Sequence, residues 1–175
     1  MEIYKGTATF SGIAIGKILY YSRGEYQIRQ CLVSNIKKEI SNFQEARIQA
    51  VQKLNELYEA SRLLNEQEAG VFMRQIKLLE SESYQNAIES SIANEKVNAA
   101  YAVMINRDEL VETFRHLEEP VIRRRINDMQ EISNRLIQIL GGAAIRINLG
   151  DEPVILVAEA LSPTEIMEMD KDKLL

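Results

Sequence analysis

Residues 34–64, SNIKKEISNFQEARIQAVQKLNELYEASRLL, contain neither glycine nor proline and decide the fold of the central part of the chain. Apolar side chains recur there in alternating steps of four and three residues. These positions are Ile36, Ile40, Phe43, Ala50, Leu54, Leu57 and Leu64, with Arg47 and Ser61 at the two skipped places. This period predicts one apolar stripe along a long helix that packs against other helices at a shallow angle. Ser34 is the predicted N-cap.

The same period predicts three further helices downstream. The second spans Glu66 to Ile92, and its apolar side consists of Phe72, Ile76, Leu79 and Ile88. The third carries Val97, Tyr101, Met104, Leu110, Phe114 and Leu117, and the fourth carries Ile122, Ile126, Met129, Leu136 and Leu140. Pro120 suits the first position of the fourth helix, and the glycine pair at 141–142 suits its end.

Both ends of the chain are rich in residues that favour strands. Short strands or extended segments are predicted within residues 2–10, 12–21 and 26–33, and strands again within residues 143–149 and 154–161. Ser162, Pro163 and Glu165 then have the spacing of an N-cap, a first helical proline and a capping box. The predicted fold is therefore α+β, with four helices inserted between strands of one sheet that is incomplete in this chain.

Composition excludes several classes of function. The chain has 175 residues, a net charge of −5 and a single cysteine, Cys31. The negative charge argues against nucleic acid as the main partner, and the basic triplet at 123–125 is too short to reverse that prediction. No apolar run is long enough to insert into a membrane, and the first residues lack the pattern of a signal peptide. One cysteine permits no internal disulfide, so a cytoplasmic location is predicted.

Two candidate chemical motifs are weak. Gly12 and Gly16 with Lys17 resemble a phosphate-binding loop, but only three residues separate the glycines and Ile18 stands where a Ser or Thr would ligate Mg²⁺. The glycines fit a bend or a close backbone approach better. His116, the only histidine, has no nucleophile or carboxylate at a spacing that would form a catalytic pair. With one His and one Cys, no zinc site is predicted.

The second helix carries apolar residues off its main stripe. Leu78 and Tyr84 lie near Glu66, Glu68 and Glu82 in the sequence. One interpretation is that both side chains pack against a neighbouring helix. The other is an apolar patch with an acidic rim, which would bind a positively charged partner.

Four stretches together resemble the N-terminal region of the Enzyme I family, the phosphoenolpyruvate–protein phosphotransferases of the bacterial sugar phosphotransferase system. They are FSGIAIGKILYY at 10–21, FMRQIKLLESESY at 72–84, EEPVIRRRINDMQEISNRLIQILGG at 118–142 and DEPVILVAEALSPTE at 151–165. The resemblance covers essentially the whole chain. It implies a four-helix subdomain that binds the phosphocarrier HPr, inserted into an incomplete swivelling β/α phosphohistidine domain. The implied boundaries are 1–33 and 143–175 for the phosphohistidine domain and 34–142 for the helical subdomain.

The resemblance also implies an activity for the parent protein. In the family, a histidine takes phosphate from phosphoenolpyruvate on a separate C-terminal barrel with Mg²⁺ and passes it to HPr for sugar uptake. That histidine lies in a segment beyond Leu175, and His116 does not match it, so this chain alone is expected to be inactive, with no cofactor of its own. The homodimer is expected only for the full-length parent.

The HPr-binding residues implied by the resemblance lie on the second and fourth helices. They are Glu66, Gln67, Gly70, Gln75, Leu78, Glu82, Tyr84, Arg125 and Asp128. The chain departs from the family pattern at Met73, Gln75, Lys77 and Ser83, and the run RRRINDM replaces an Ala-rich, acidic-leading stretch. Two alternatives therefore stay open: a non-catalytic helical scaffold, and a diverged relative that serves a different phosphocarrier. A downstream reading frame with the Ser-His segment and a barrel would favour the enzyme, and a natural stop after Leu175 the scaffold.

Overall fold

The computed structural model describes residues 12–21, 28–63, 66–117, 119–141 and 149–175, and for residues 66–68 and 164 it describes the backbone alone. These residues divide into two compact units. The sheet unit contains residues 12–21 and 149–175, and the helical unit contains residues 28–63, 66–117 and 119–141. The strand predicted within 2–10, and nearly all of that within 143–149, lie outside the described residues.

The helical unit is built from five helices: α1 Ile36–Arg62, α2 Glu66–Glu80, α3 Glu82–Glu95, α4 Ala99–Phe114 and α5 Pro120–Gly141. The predicted stripe of α1 is confirmed at Phe43, Ala50, Leu54 and Leu57, which are buried against the neighbouring helices. Pro120 is the first residue of α5, as predicted. The N-cap of α1 is Asn35 and not Ser34, because the Asn35 side chain accepts a hydrogen bond from the Lys38 N–H at 3.0 Å.

The prediction of one helix over residues 66–92 is wrong, because the chain breaks at Ser81 into α2 and α3. Ser81 has an extended backbone, with φ −66° and ψ 124°. A continuous helix would turn Ser83 and Asn86 inward after Leu79, and both are polar. The break resets the register, so that Tyr84, Ile88 and Ile92 become the buried residues of α3.

Residues 28–33, the described part of the segment predicted as a strand or an extended segment over 26–33, do not form a strand. That segment forms a single antiparallel bridge between Leu32 and Val97. Backbone bonds join Val33 N–H to the Lys96 carbonyl at 2.8 Å and Asn98 N–H to the Cys31 carbonyl at 3.1 Å. Its partner is only the short connection between α3 and α4, which is too short to support a longer strand.

The third predicted helix, α4, is shorter than its pattern suggests and buries different residues. Val97 and Leu117 lie outside α4, and Phe114 is exposed at its last residue. The buried residues of α4 are Ala99, Ala102 and Val103. α4 packs against α3 and α5, and its larger apolar residues Tyr101, Met104 and Leu110 are only partly buried.

The sheet unit pairs a strand from each end of the chain. β1 (Lys17–Tyr21) is parallel to β2 (Val154–Ala158), with Lys17 opposite Val154 and Tyr21 opposite Ala158. The prediction that strands from both ends share one sheet is confirmed for these two strands. A short helix, α6 (Pro163–Glu168), follows β2.

The capping box of α6 is confirmed. The Glu165 N–H donates to Ser162 Oγ at 3.2 Å, and the Ser162 N–H donates to Glu165 Oε2 at 2.7 Å. The Tyr21 hydroxyl donates to Glu165 Oε1 at 2.7 Å, which ties β1 to the start of α6. The local cap therefore also serves the packing of the sheet unit.

The glycines of the first described segment do not form a phosphate-binding loop. Gly16 and Lys17 lead into the strand β1, whereas a phosphate-binding loop leads into a helix. A Cβ placed on Gly16 would collide with the side chain of Leu175, whose N–H donates to the Val154 carbonyl at 3.0 Å. Gly16 thus permits a close approach within the sheet unit.

Candidate functional site

The inward faces of α2 and α5 determine which residues these helices expose. Phe72, Ile76 and Leu79 of α2 are buried, as the sequence predicts, and Met129, Ile132 and Leu136 of α5 are buried as well. Residues three and four apart share a helix face, and Arg74 and Lys77 of α2 and Arg125 of α5 lie off the buried faces and are exposed. A groove therefore opens between the outer faces of α2 and α5.

This groove, called the α2–α5 groove below, has a volume of about 490 Å³. Its lining residues are Arg74, Lys77, Leu78, Ser81, Val121, Arg124, Arg125 and Asp128. Leu78 is half-buried, and Val121 in the first turn of α5 has 66% of its surface exposed. The groove thus has two apolar residues surrounded by polar and charged ones.

An ion pair connects the two helices across the groove. Arg74 Nε donates to Asp128 Oδ2 at 2.9 Å, and the two side chains are 48% and 12% exposed. The nearly buried carboxylate requires a charged partner, since an unpaired charge in that environment is costly. Arg74 supplies it through Nε, and its exposed part faces the solvent.

The charge of the groove is basic. Of its eight described lining residues, four are Arg or Lys and only Asp128 is acidic. Arg124 Nε donates to the Pro120 carbonyl at 3.2 Å, which holds this side chain along α5. Lys77 and Arg125 have no ion pair within the part of the chain that the structure describes.

Three of the predicted binding residues, Leu78, Arg125 and Asp128, are brought together in the groove. Gly70 is half-exposed in α2, and Glu82 is exposed as the first residue of α3, but neither lines the groove. The side chains of Glu66 and Gln67 lie outside the described residues. The described lining of the groove is basic, and the acidic rim of the second interpretation falls on the exposed Glu82 and on Glu66 and Glu68, whose side chains lie outside the described residues.

Gln75 and Tyr84 lie in the interior, contrary to the prediction that they form part of a binding surface. Gln75 is 2% exposed and Tyr84 is 7% exposed, so neither side chain is available to a partner. Gln75 precedes Ile76 on the inner side of α2, and the break at Ser81 turns Tyr84 inward. Of the two interpretations of Tyr84, packing against a neighbouring helix is the correct one.

The Tyr84 hydroxyl is an unusual feature of this interior. Neither its oxygen nor the buried Ser133 Oγ has a hydrogen-bond partner of good geometry within the described residues. Burial raises the pKa of Tyr84 well above its ordinary value of 10.0, and the nearby Ser133 hydroxyl offsets this only in part. Tyr84 therefore stays neutral in the folded protein.

Five groove residues were missed by the sequence reasoning: Arg74, Lys77, Ser81, Val121 and Arg124. A signal for some of them exists, because Val121, Arg125 and Asp128 are spaced by four and three residues on one face of α5. On α2, Arg74 lies four residues before Leu78. The residue spacing within α2 or within α5 does not show that these two helix faces lie side by side.

The remaining candidates for chemistry are isolated. His116 and Cys31 are both exposed and lie in different connections of the helical unit. Among the described residues, no group of three or more His, Cys, Asp or Glu side chains is arranged to hold a metal ion. None of the described helices is long and apolar enough to cross a membrane.

Comparison with known proteins adds a family and a fold. Residues 5–125 match the family model described as PEP-utilising enzyme, N-terminal. Two curated relatives named phosphoenolpyruvate-protein phosphotransferase come from Haemophilus influenzae and Borreliella burgdorferi. The first is 30% identical over 97% of this chain, and the second is 27% identical over 94% of it. The chain spans 30% of the length of each of these relatives.

Two solved structures have the same fold. An NMR solution structure of Enzyme I (nEIt) aligns with a TM-score of 0.74 and 23% identity, over 91% of this chain and 66% of that one. An N-terminal domain of Enzyme 1 - Nitrogen aligns with a TM-score of 0.71 and 21% identity, over 93% of this chain and 68% of that one. At these identities the likeness concerns the fold alone.

Proposed function

The chain belongs to the family described as PEP-utilising enzyme, N-terminal. We therefore propose that it is the N-terminal part of a phosphoenolpyruvate–protein phosphotransferase of the Enzyme I type. In this proposal the helical unit is the subdomain that binds the phosphocarrier HPr. The sheet unit is part of the swivelling phosphohistidine domain into which the helical subdomain is inserted. The match over residues 5–125 and the relatives that align over 94–97% of this chain support the proposal.

The remaining parts of the activity belong to the parent protein in this proposal. Phosphoenolpyruvate, Mg²⁺, the phosphorylated histidine and the dimer contacts are assigned to the rest of its length, and the protein works in the cytoplasm. Phosphoryl transfer depends mainly on positioning and electrostatics. A subdomain that holds the carrier in line with the phosphohistidine therefore contributes to catalysis without touching the reacting atoms.

The observation that carries the proposal is the α2–α5 groove. Leu78 and Val121 offer an apolar centre, and charged side chains surround it. Specific protein interfaces commonly combine such a centre with a polar rim. The groove lies on the outer faces of two helices whose inner faces are already buried, so binding requires no rearrangement of the interior.

An NMR titration of the isotope-labelled chain with unlabelled HPr tests the proposal. We expect chemical-shift changes concentrated at Lys77, Leu78, Val121 and Arg125. Leu78→Ala should weaken binding about tenfold, which corresponds to about 1.4 kcal/mol. Leu63→Ala is the matched control, because Leu63 is 84% exposed and does not line the groove.

The control variant should bind like the parent, and both variants should keep the parent's circular dichroism spectrum. Absence of shift changes at millimolar carrier, from a chain shown to be folded, would contradict the proposal. Equal affinities of the Leu78 variant and the parent would remove the groove from the interface.

The diverged relative that serves a different phosphocarrier is favoured by one specific observation, the basic lining of the groove. This alternative keeps the enzyme class and changes only the partner. It predicts that the surface charge of the carrier, and not its fold, decides whether the carrier binds.

A further inference from the structure

The α2–α5 groove is basic although the chain as a whole is acidic. The net charge is −5, yet four of the eight groove residues carry a positive charge and one carries a negative charge. The sign of the groove is therefore a local property and does not follow from composition. From this contrast we infer that the phosphocarrier bound by this protein presents an acidic docking face. This inference rests on the proposed function.

Two arginines of the groove, Arg74 and Arg124, are held by hydrogen bonds in positions from which they can bind acidic groups. Arg74 is bonded through Nε to Asp128 at 2.9 Å, and Arg124 is bonded through Nε to the Pro120 carbonyl at 3.2 Å. In these contacts the Nη atoms of both guanidinium groups are not used. A guanidinium held in this way loses less conformational freedom when it binds a carboxylate, and it can do so through two parallel bonds.

The only acidic residue among the described lining residues is already paired. Asp128 is 12% exposed at its side chain and bonds to Arg74, so its charge is compensated before any partner arrives. Lys77 and Arg125 have no such compensation within the described residues. A basic docking face would bring uncompensated like charges together, which costs several kcal/mol in protein interfaces. An acidic face would instead pair with them.

Leu78 and Val121 further restrict which side chains the complementary face of the partner can present. Their apolar surfaces lie among the cations, so the complementary face needs an apolar side chain flanked by Asp or Glu. The inferred partner is thus a protein with an apolar anchor and an acidic surround. The charges decide which carrier is accepted, and the apolar contact supplies part of the affinity.

A comparison of two carriers tests the inference. One is an HPr with a basic docking face, and the other is the same HPr with the Lys and Arg residues of that face replaced by Glu. Affinities are measured by calorimetric titration of the 175-residue chain. We expect the charge-reversed carrier to bind more tightly. Raising NaCl from 0.1 to 1 M shortens the Debye length from about 10 to about 3 Å and should weaken this binding.

Charge reversals on the chain provide the second part of the test. Lys77→Glu and Arg125→Glu should each lower the affinity for the acidic carrier by about fivefold and raise the affinity for the basic carrier. Both residues are exposed, so the fold should be retained. Lys37→Glu is the matched control, because Lys37 is an exposed lysine of α1 that does not line the groove.

The outcomes separate the inference from the proposed function. Tighter binding of the basic carrier, weakened by salt, would overturn the inference and leave the proposed function intact. Binding of neither carrier by a folded chain would overturn both. Equal effects of Arg125→Glu and Lys37→Glu would show that the groove does not sense the partner's charge, and would overturn the inference.

Discussion

The interior of the helical unit and the α2–α5 groove are built from opposite faces of the same two helices. Phe72, Ile76 and Leu79 of α2 are buried, whereas Arg74 and Lys77 between them are exposed. The interior is closely packed and mostly apolar, and the groove is charged and open to solvent. The comparison teaches that stability and recognition are separated across a single helix, so that substitutions can affect one without the other.

The variant with the largest expected effect on stability is Leu79→Ala. Leu79 is fully buried, so its truncation should lower the free energy of unfolding of the helical unit by about 2–5 kcal/mol. Lys77→Ala, two residues away on the exposed side, should change it by less than about 0.5 kcal/mol. Chemical denaturation followed by circular dichroism measures both. Similar losses in the two variants would break the distinction between the faces.

Arg74→Ala tests the one place where the groove also supports the fold. Removal of Arg74 leaves the nearly buried Asp128 carboxylate without its partner, which should cost about 1–3 kcal/mol of unfolding free energy. Arg124→Ala is the matched control, because among the described residues its side chain bonds to the backbone carbonyl of the exposed Pro120 and to no carboxylate.

The double variant Arg74→Ala with Asp128→Asn sharpens this test. It should recover part of the loss, since no unpaired charge remains. If Arg74→Ala and Arg124→Ala are equally stable, the ion pair makes no measurable contribution and the groove is free of any structural role.

The smallest expected effect concerns pH and the buried Tyr84. Burial raises its pKa above the ordinary 10.0, so the unfolded chain ionises before the folded one. The contribution of Tyr84 to the free energy of unfolding is therefore fully present below pH 10. It falls as the pH rises above 10, by up to about 1.4 kcal/mol per pH unit. Tyr84→Phe should remove this part of the slope of unfolding free energy between pH 9 and 11.

Tyr20→Phe is the matched control for this experiment. Tyr20 is 77% exposed, so its replacement should leave the alkaline slope unchanged. The same slope in the Tyr84 variant and the parent would mean that the hydroxyl is accessible to solvent, and the assignment of Tyr84 to the interior would fail.

Sequence signals that act over a few residues predicted the caps and starts of individual helices correctly in several places. The capping box at Ser162 and Glu165 and the start of α5 at Pro120 depend on groups three or fewer residues apart. The apolar stripe of α1 is similarly local, because its period follows from the geometry of one helix. The buried positions Phe72, Ile76 and Leu79 of α2 followed from the same kind of signal. On α5 only Met129 and Leu136 of the five predicted apolar residues are buried, and Ile132 and Ile137 take the place of the others.

The break at Ser81 shows where local reasoning failed. Both a continuous helix and a break satisfy the propensities of ESES at 80–83, and the choice depends on which downstream residues can be buried. Polar Ser83 and Asn86 at the continued inward positions were the available signal. The misplaced role of Tyr84 followed directly from missing this break.

The sequence by itself determined the apolar stripe of α1, the start of α5 at Pro120 and the capping box of α6, because these depend on spacing along one segment. Only the tertiary structure decided which outer faces meet. Arg74 and Asp128 are 54 residues apart, and their 2.9 Å contact depends on how α2 and α5 are rotated and shifted against each other. Periodicity within a helix does not specify that arrangement. The basic charge of the groove, and with it the inferred character of the partner, is therefore a property of packing.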